Sequence, residues 1–223
     1  MENYLDLAIG ADSYAHQQRR GSRDAYQRTA EMPAPSGLGP DEIEFLTDRD
    51  SFYLASVGQN GWPYVQHRGG EAGFVHVIDA THLAWADRSG NRQYISAGNV
   101  DHDNRVAIIA MDYPNRRRLK LYGRARYEPS PTAEQQTALG LDGRIEGAVI
   151  VEVVAFDWNC PKYITPRYTA DQVRASIEPL QKRIRDLEQQ LAANVGQLAL
   201  DQSTVDHSAS PRRSSDPGTS SVS

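Results

Sequence analysis

The sequence predicts a mainly β protein, a β-barrel with peripheral helices, and three observations predict it. Short runs rich in β-branched and aromatic residues recur at close spacing from Ser51 to Phe156. Only small helical patterns, at 91–97 and 132–139, fall between them, too few for the alternating units of a parallel α/β sheet. A sustained apolar repeat with helical spacing is confined to the region beyond Thr169.

Residues 1–40 read as an N-terminal helical arm. From Asp12 to Met32 the chain is polar, carries Arg19, Arg20, Arg23 and Arg28, and has little apolar periodicity, and Pro33-Ala34-Pro35-Ser36-Gly37 then breaks it. The barrel domain is expected at 41–168. Pro40-Asp41-Glu42 supplies a helix start, proline in the first turn and acids at the positive end of the dipole, leading into Ile43, Phe45 and Leu46. Phe52–Val57 reads as a strand, and Gln59-Asn60-Gly61 as a hairpin turn because Asn and Gly tolerate positive φ. Further strands are predicted at 74–78, 83–86, 106–111, 119–127 and 148–156. At 169–200 the sequence predicts an amphipathic helix. Val173, Ile177, Leu180, Ile184, Leu187 and Leu191 recur in alternating steps of four and three, flanked by Arg183, Arg185, Asp186 and Glu188. Such a seam suits a coiled coil or packing against the barrel, and Pro179 is expected to kink or restart the helix. Residues 201–223, serine-rich with Pro211 and Pro217, bury too little apolar surface to order themselves and are expected to be disordered.

Composition narrows the function classes. The chain has 223 residues, 39% hydrophobic and 24% charged, and a formal net charge of -5, which argues against general nucleic-acid binding. No apolar run approaches the roughly 18 residues of a membrane-spanning helix. The polar start Met1-Glu2-Asn3-Tyr4 lacks a basic-then-apolar leader, so a cytoplasmic location is expected. The single Cys160 leaves no cysteine-cluster metal site and no disulfide framework. No metal is expected, since His67 and His76 have no ligand company and His102 lies in a turn-like Asp101-His102-Asp103.

The chemistry-bearing segments are loops that pair arginine with glycine: Gln66-His67-Arg68-Gly69-Gly70, Gly90-Asn91-Arg92-Gln93-Tyr94 and Asn115-Arg116-Arg117-Arg118-Leu119-Lys120. Glycine lets backbone N–H groups approach an anion, and guanidinium forks bind phosphate oxygens two at a time. Arg68 and Arg92 can therefore neutralise a phosphate dianion, and the helix start near Asn91 adds N–H donors and a favourable dipole. These residues point to an anionic cofactor. Arg116-Arg117-Arg118 reads either as part of that site or as a solvated hairpin tip, Trp158 either as a packing residue or as a ring that stacks on a ligand, and the two histidines either as site residues or as structural ones.

The order of these motifs, together with Gly61-Trp62-Pro63-Tyr64-Val65, Met111-Asp112-Tyr113-Pro114 and Gly123-Arg124-Ala125, resembles the FMN-binding split-barrel proteins of the pyridoxamine 5′-phosphate oxidase-related group from about Leu46 to Arg167. The resemblance implies a six-stranded antiparallel Greek-key barrel and a homodimer with FMN in clefts at the interface. It also implies the cofactor residues. The phosphate-binding strand corresponds to His67 and Arg68 through Val75, His76 and Val77. The strand beside the ring corresponds to Trp85, Ala86 and Asp87, and the phosphate loop to Asn91, Arg92 and Gln93. Arg118 falls near the family's glutamine and becomes the candidate for tuning the ring at its N1–C2=O edge. Trp158, Asn159 and Lys162 follow as residues offered to the flavin of the other subunit.

Departures from the authentic oxidase bear on the substrate. Its lysine after the arginine strand is replaced by His76 or Val77, its phosphate loop reads Gly90-Asn91-Arg92, and its C-terminal tryptophan, arginine and proline signature is missing. Vitamin B6 phosphate oxidation is therefore not expected. The resemblance implies an FMN-dependent oxidoreductase acting on an unidentified small organic substrate, with no residue required as general base. The alternatives are a non-catalytic flavin-binding or storage protein, a user of the deazaflavin F420, and a haem-handling split barrel.

Overall fold

The computed structural model of the chain describes residues 1–207, with side chains through residue 196. It divides into two units, Met1–Arg167 and a second that begins at Tyr168.

The first unit opens with three short helices, α1 (Tyr4–Ala8), α2 (Ala11–Arg20) and α3 (Arg23–Ala30), none of which buries a residue. Helix α4 (Pro40–Thr47) starts where its proline predicts, and the Glu42 carboxylate accepts a hydrogen bond from the Gly39 N–H at 2.9 Å. It buries Phe45 and Leu46 against the sheet. Seven strands follow: β1 (Ser51–Val57), β2 (Pro63–Gly69), β3 (His76–Asp79), β4 (His82–Asp87), β5 (Arg105–Asp112), β6 (Arg117–Pro129) and β7 (Gly147–Trp158). Helix α5 (Ile95–His102) lies between β4 and β5, and α6 (Ala133–Ala138) between β6 and β7.

All strand pairs are antiparallel, in the order β2-β1-β5-β6-β7-β4-β3. The fold is mainly β with peripheral helices, a split barrel. The expected strand count of six is corrected to seven, because the short β3 pairs with β4 alone as an extra edge. The hydrogen-bonded ladder does not close. Side chains close the curl instead: Phe52 on β1 meets Trp85 on β4 edge to face at 5.0 Å, although β5, β6 and β7 stand between β1 and β4 in the sheet order. Strand periodicity sends Phe52, Leu54, Val106, Ile108, Leu119 and Leu121 into the enclosed core.

The Asn60-Gly61 hairpin forms as expected, with Gly61 at φ 78° and β1 pairing β2 from Ser51↔Gly69 to Val57↔Pro63. Two local expectations shift. The strand expected from Phe74 begins at His76, and the helix expected from Asn91 begins at Ile95. The second shift has a backbone cause, since Arg92 and Tyr94 hold positive φ of 57° and 50° and cannot continue a right-handed helix.

Gly123-Arg124-Ala125 is a packing motif. Gly123 sits where the β6–β7 register shifts, and a Cβ there would lie 2.4 Å from Val151 Cγ1 and 2.9 Å from the Glu152 carbonyl oxygen. The side chain could rotate away, but the backbone oxygen could not. Gly123→Ala is therefore expected to destabilise the first unit by about 1–3 kcal/mol through overpacking, read as a lower urea midpoint with an unchanged m-value.

In the second unit α7 (Ala170–His207) extends past the expected end at 200. The part of the expected disordered tail at 208–223 lies outside the described residues. The helix continues through Pro179, so the expected restart does not occur. No helix among the described residues is long and apolar enough to cross a membrane.

Candidate functional site

The curl of the sheet brings Arg68, at the end of β2, against Asp87, at the end of β4. The guanidinium Nη1 donates to Asp87 Oδ1 at 3.0 Å, and both side chains are largely buried. The same guanidinium has a second, unused donor: its Nε is buried and has no partner. Arg68 also lines a cavity of about 220 Å³, together with Gln66, Asp87, the loop Gly90–Tyr94, Ser96 and Tyr127.

One end of this cavity is the start of α5. The helix is fixed on the barrel by a buried hydrogen bond from Asn99 Nδ2 to Ser56 Oγ at 3.0 Å and by Val100 in the core. No side chain caps its N-terminus, and the N-cap residue Tyr94 is in the left-handed conformation. Ser96, in the first turn, is only 5% exposed and its hydroxyl has no partner. A buried polar atom left unpaired costs about 1–3 kcal/mol. Two such atoms, one a guanidinium N–H and one a hydroxyl, belong to residues that line one cavity, and both are groups able to donate to an oxygen-rich anion. Ser96 was not singled out by the sequence reading, and the only signal for it is its position shortly after the Gly90–Tyr94 arginine loop.

The rest of the loop forms the rim. Asn91 Oδ1 accepts from the Gln93 backbone N–H at 3.1 Å, an Asx turn. Arg92 is 68% exposed in its side chain and stands 3.5 Å from Glu146. Tyr127 forms a wall, its ring so close to Gly147 that a Cβ there would lie 2.4 Å from the phenol oxygen. Burial, then the charge of Asp87 and a hydrogen bond to it, push the Tyr127 pKa up.

The structure brings Arg68, Asp87, Asn91, Arg92 and Gln93 to this cavity. An adjoining cavity of about 800 Å³ shares Arg68 and Asp87 and adds His67, His76, Trp85 and Ala86 to its lining. Trp85 is buried with its indole N–H unpartnered. Val75 and Val77 pack in or against the core and line neither cavity.

Arg118, Trp158, Asn159 and Lys162 lie apart from both cavities. Arg118 is opposite Met111 on β5, on the outer face of the sheet, with its Nε buried and unpartnered. Asn159 extends the ladder by donating its N–H to the Arg118 carbonyl at 3.2 Å, and Lys162 lies over Tyr163 at 5.3 Å. Trp158 does not leave the sheet as its following proline suggests. It pairs with Leu119 and so shares that residue's inward face. There it meets Phe45 edge to face at 4.8 Å, lies under the Arg117 guanidinium, and donates its indole N–H to Glu42 Oε1 at 2.5 Å.

The curled antiparallel sheet with its peripheral helices is a split barrel. A family model described as pyridoxamine 5′-phosphate oxidase matches residues 40–147, from α4 to the start of β7. The barrel segment 40–147 thus belongs with the pyridoxamine 5′-phosphate oxidase-related split barrels. Among solved structures, the chain is similar to a putative pyridoxamine 5′-phosphate oxidase from Lactobacillus delbrueckii, at 19% identity over 55% of this chain and 95% of that one, with a TM-score of 0.44. An FMN-binding protein from Syntrophomonas wolfei matches at 9% identity over 64% and 97%, TM-score 0.40. A structure described as an F420 reductase matches at 21% over 53% and 98%, TM-score 0.37. No curated protein matches the chain.

The indole N–H bond of Trp158 gives a direct check on its role. Trp158→Phe keeps an aromatic ring against Phe45 but leaves Glu42 with an unmet partner. It is expected to lower stability by about 1–3 kcal/mol in urea titration while leaving ligand affinity at the Arg68 cavity unchanged.

Proposed function

We propose that the protein binds FMN and acts as an FMN-dependent oxidoreductase on a small organic substrate. The observation that carries the reading is the pair of buried, unpartnered donors, Arg68 Nε and Ser96 Oγ, on one cavity at the uncapped N-terminus of α5. A phosphate monoester fits this set: it is dianionic, presents several acceptor oxygens, and meets both donors and the helix dipole. Arg68 and Ser96 hold it, Asp87 orients Arg68, and Arg92 adds a screened cation at the rim. When bound, the flavin supplies two-electron redox chemistry. The family's description as an oxidase supports an enzyme over a storage protein.

The reading includes a homodimer. The outer face of β1 and β2, opposite the core, exposes Tyr53, Val57 and Val65, the last to 61%. Ile109 and Met111 of β5 continue it, and the unpartnered Arg118 stands beside Met111. On this reading Arg118, Asn159 and Lys162 of one chain serve the flavin held by Arg68 and Ser96 of the other, while Trp158 keeps its packing role.

Comparison of FMN with riboflavin tests the phosphate assignment, because the two differ only in that group. FMN is expected to bind much more tightly than riboflavin, with paired blue and near-ultraviolet bands. Arg68→Ala is expected to cost at least about tenfold in FMN affinity, and Ser96→Ala a few-fold. Riboflavin affinity should stay constant in both variants, which separates a lost anchor from a damaged fold. The exposed Arg92 should matter less than Arg68, since solvent screens its charge. Equal affinity for FMN and riboflavin would sink the assignment, and a single dominant Soret band would turn the reading to haem.

A further inference from the structure

The second unit carries a surface that the flavin reading does not use. On α7 the side chains of Val173, Ile177, Leu180, Ile184, Leu187 and Leu191 form one stripe, each between 42% and 65% exposed. Their steps of four and three define a heptad with Ile177, Ile184 and Leu191 at a and Val173, Leu180 and Leu187 at d. β-branched residues at a with leucine at d favour two parallel strands.

The charges select the partner. In this register Arg183 falls at g and Glu188 at the e position of the next heptad. A parallel, in-register pair sets g of one helix against that e of the other, so two copies of this helix make the Arg183–Glu188 contact twice. Among the described residues neither Arg183 nor Glu188 has an ion-pair partner. Lys182 and Asp186, on the outward positions f and c, instead bond each other within the helix at 3.0 Å. An antiparallel pair matches g with g, and the alignment that stacks Ile184 on Leu180 sets Arg183 against Arg183. Pro179 falls at c, so its ring and missing N–H stay outside the stripe. We propose that α7 forms a parallel, in-register, two-stranded coiled coil with α7 of a second copy of this chain. The proposal is independent of any dimer through the barrel face.

Cysteine cross-linking in the full chain tests it, in a Cys160→Ser background that removes the exposed native thiol. Ile184→Cys at the core a position should oxidise to a disulfide-linked dimer in high yield. Lys182→Cys at f should give little. Charge variants then test register and direction on the Ile184→Cys chain. Arg183→Glu alone and Glu188→Arg alone each place like charges across the pair and should lower the yield. Mixing the two variants, differently tagged, lets one carry only glutamates and the other only arginines at these positions, so the cross-linked heterodimer should exceed its statistical half. A yield at Ile184→Cys no greater than at Lys182→Cys overturns the coiled coil, even if the protein still dimerises and binds flavin. A purely statistical mixture overturns the parallel register.

Discussion

The curl that lets β2 reach β4 is the constraint on which the site depends. In the ladder these strands are separated by β1, β5, β6 and β7, so no hydrogen bond between backbones holds them together. The junction is made by side chains: Phe52 against Trp85 on the apolar side, and Arg68 against Asp87 at the rim of the cavity. An ion pair in this half-buried place carries a desolvation cost that its attraction only partly offsets, so stability alone is a weak reason for it. Geometry is a better one. Asp87 takes one arm of the guanidinium and leaves Nε without a partner on a residue that lines the cavity before α5. The carboxylate also lies near Tyr127, and its charge adds to burial in raising the phenol's pKa. Asp87 thus fixes a cation without cancelling its remaining donor.

The helix supplies the other half of the site, and its placement follows from strain in the loop before it. Arg92 and Tyr94 occupy left-handed backbone conformations that cost non-glycine residues of order 1–3 kcal/mol each. That turn stops a helix from forming at Asn91 and starts it at Ile95, which puts Ser96 in the first turn. The Asn99–Ser56 bond and Val100 then hold the helix against β1, so its open N–H groups face the cavity.

Much of this was legible in the sequence, for reasons that can be named. The Asn60-Gly61 turn, the alternation in β1 and β5, and the proline start of α4 are local signals, and the structure follows them. Arg68 and the Gly90–Gln93 loop could be read because arginine beside glycine is a costly choice in or near a strand. Ser96 could not, because a serine before an alanine is unremarkable until burial removes its water. The inward turn of Trp158 was equally hidden. It depends on pairing with Leu119, and the β6–β7 register contains a shift at Tyr122/Gly123 that no local pattern announces. The count of six was what the family resemblance implied; β3 itself was legible as the strand expected at 74–78, and only its start shifts to His76.

A sheet has two faces, and this one puts its buried, unpartnered guanidinium groups on both. Arg68 lies opposite Phe52 in the β1–β2 register and so belongs to the inward face, whereas Arg118 lies opposite Met111 and belongs to the outward one. Within one chain no residue of the Arg68 cavity is shared with Arg118. A flavin is long and bears its phosphate at one end and its redox-active ring at the other, so it needs donors at two separated places. One chain supplies them on opposite sides of the same sheet. In the proposed dimer, the outward face of one barrel abuts the rim of the other, and the two places become the ends of one cleft. On that proposal the exposed Tyr53, Val57 and Val65, on the same outward face as Arg118, have the same explanation as its unpartnered Nε: each is half of a contact that a second copy would complete.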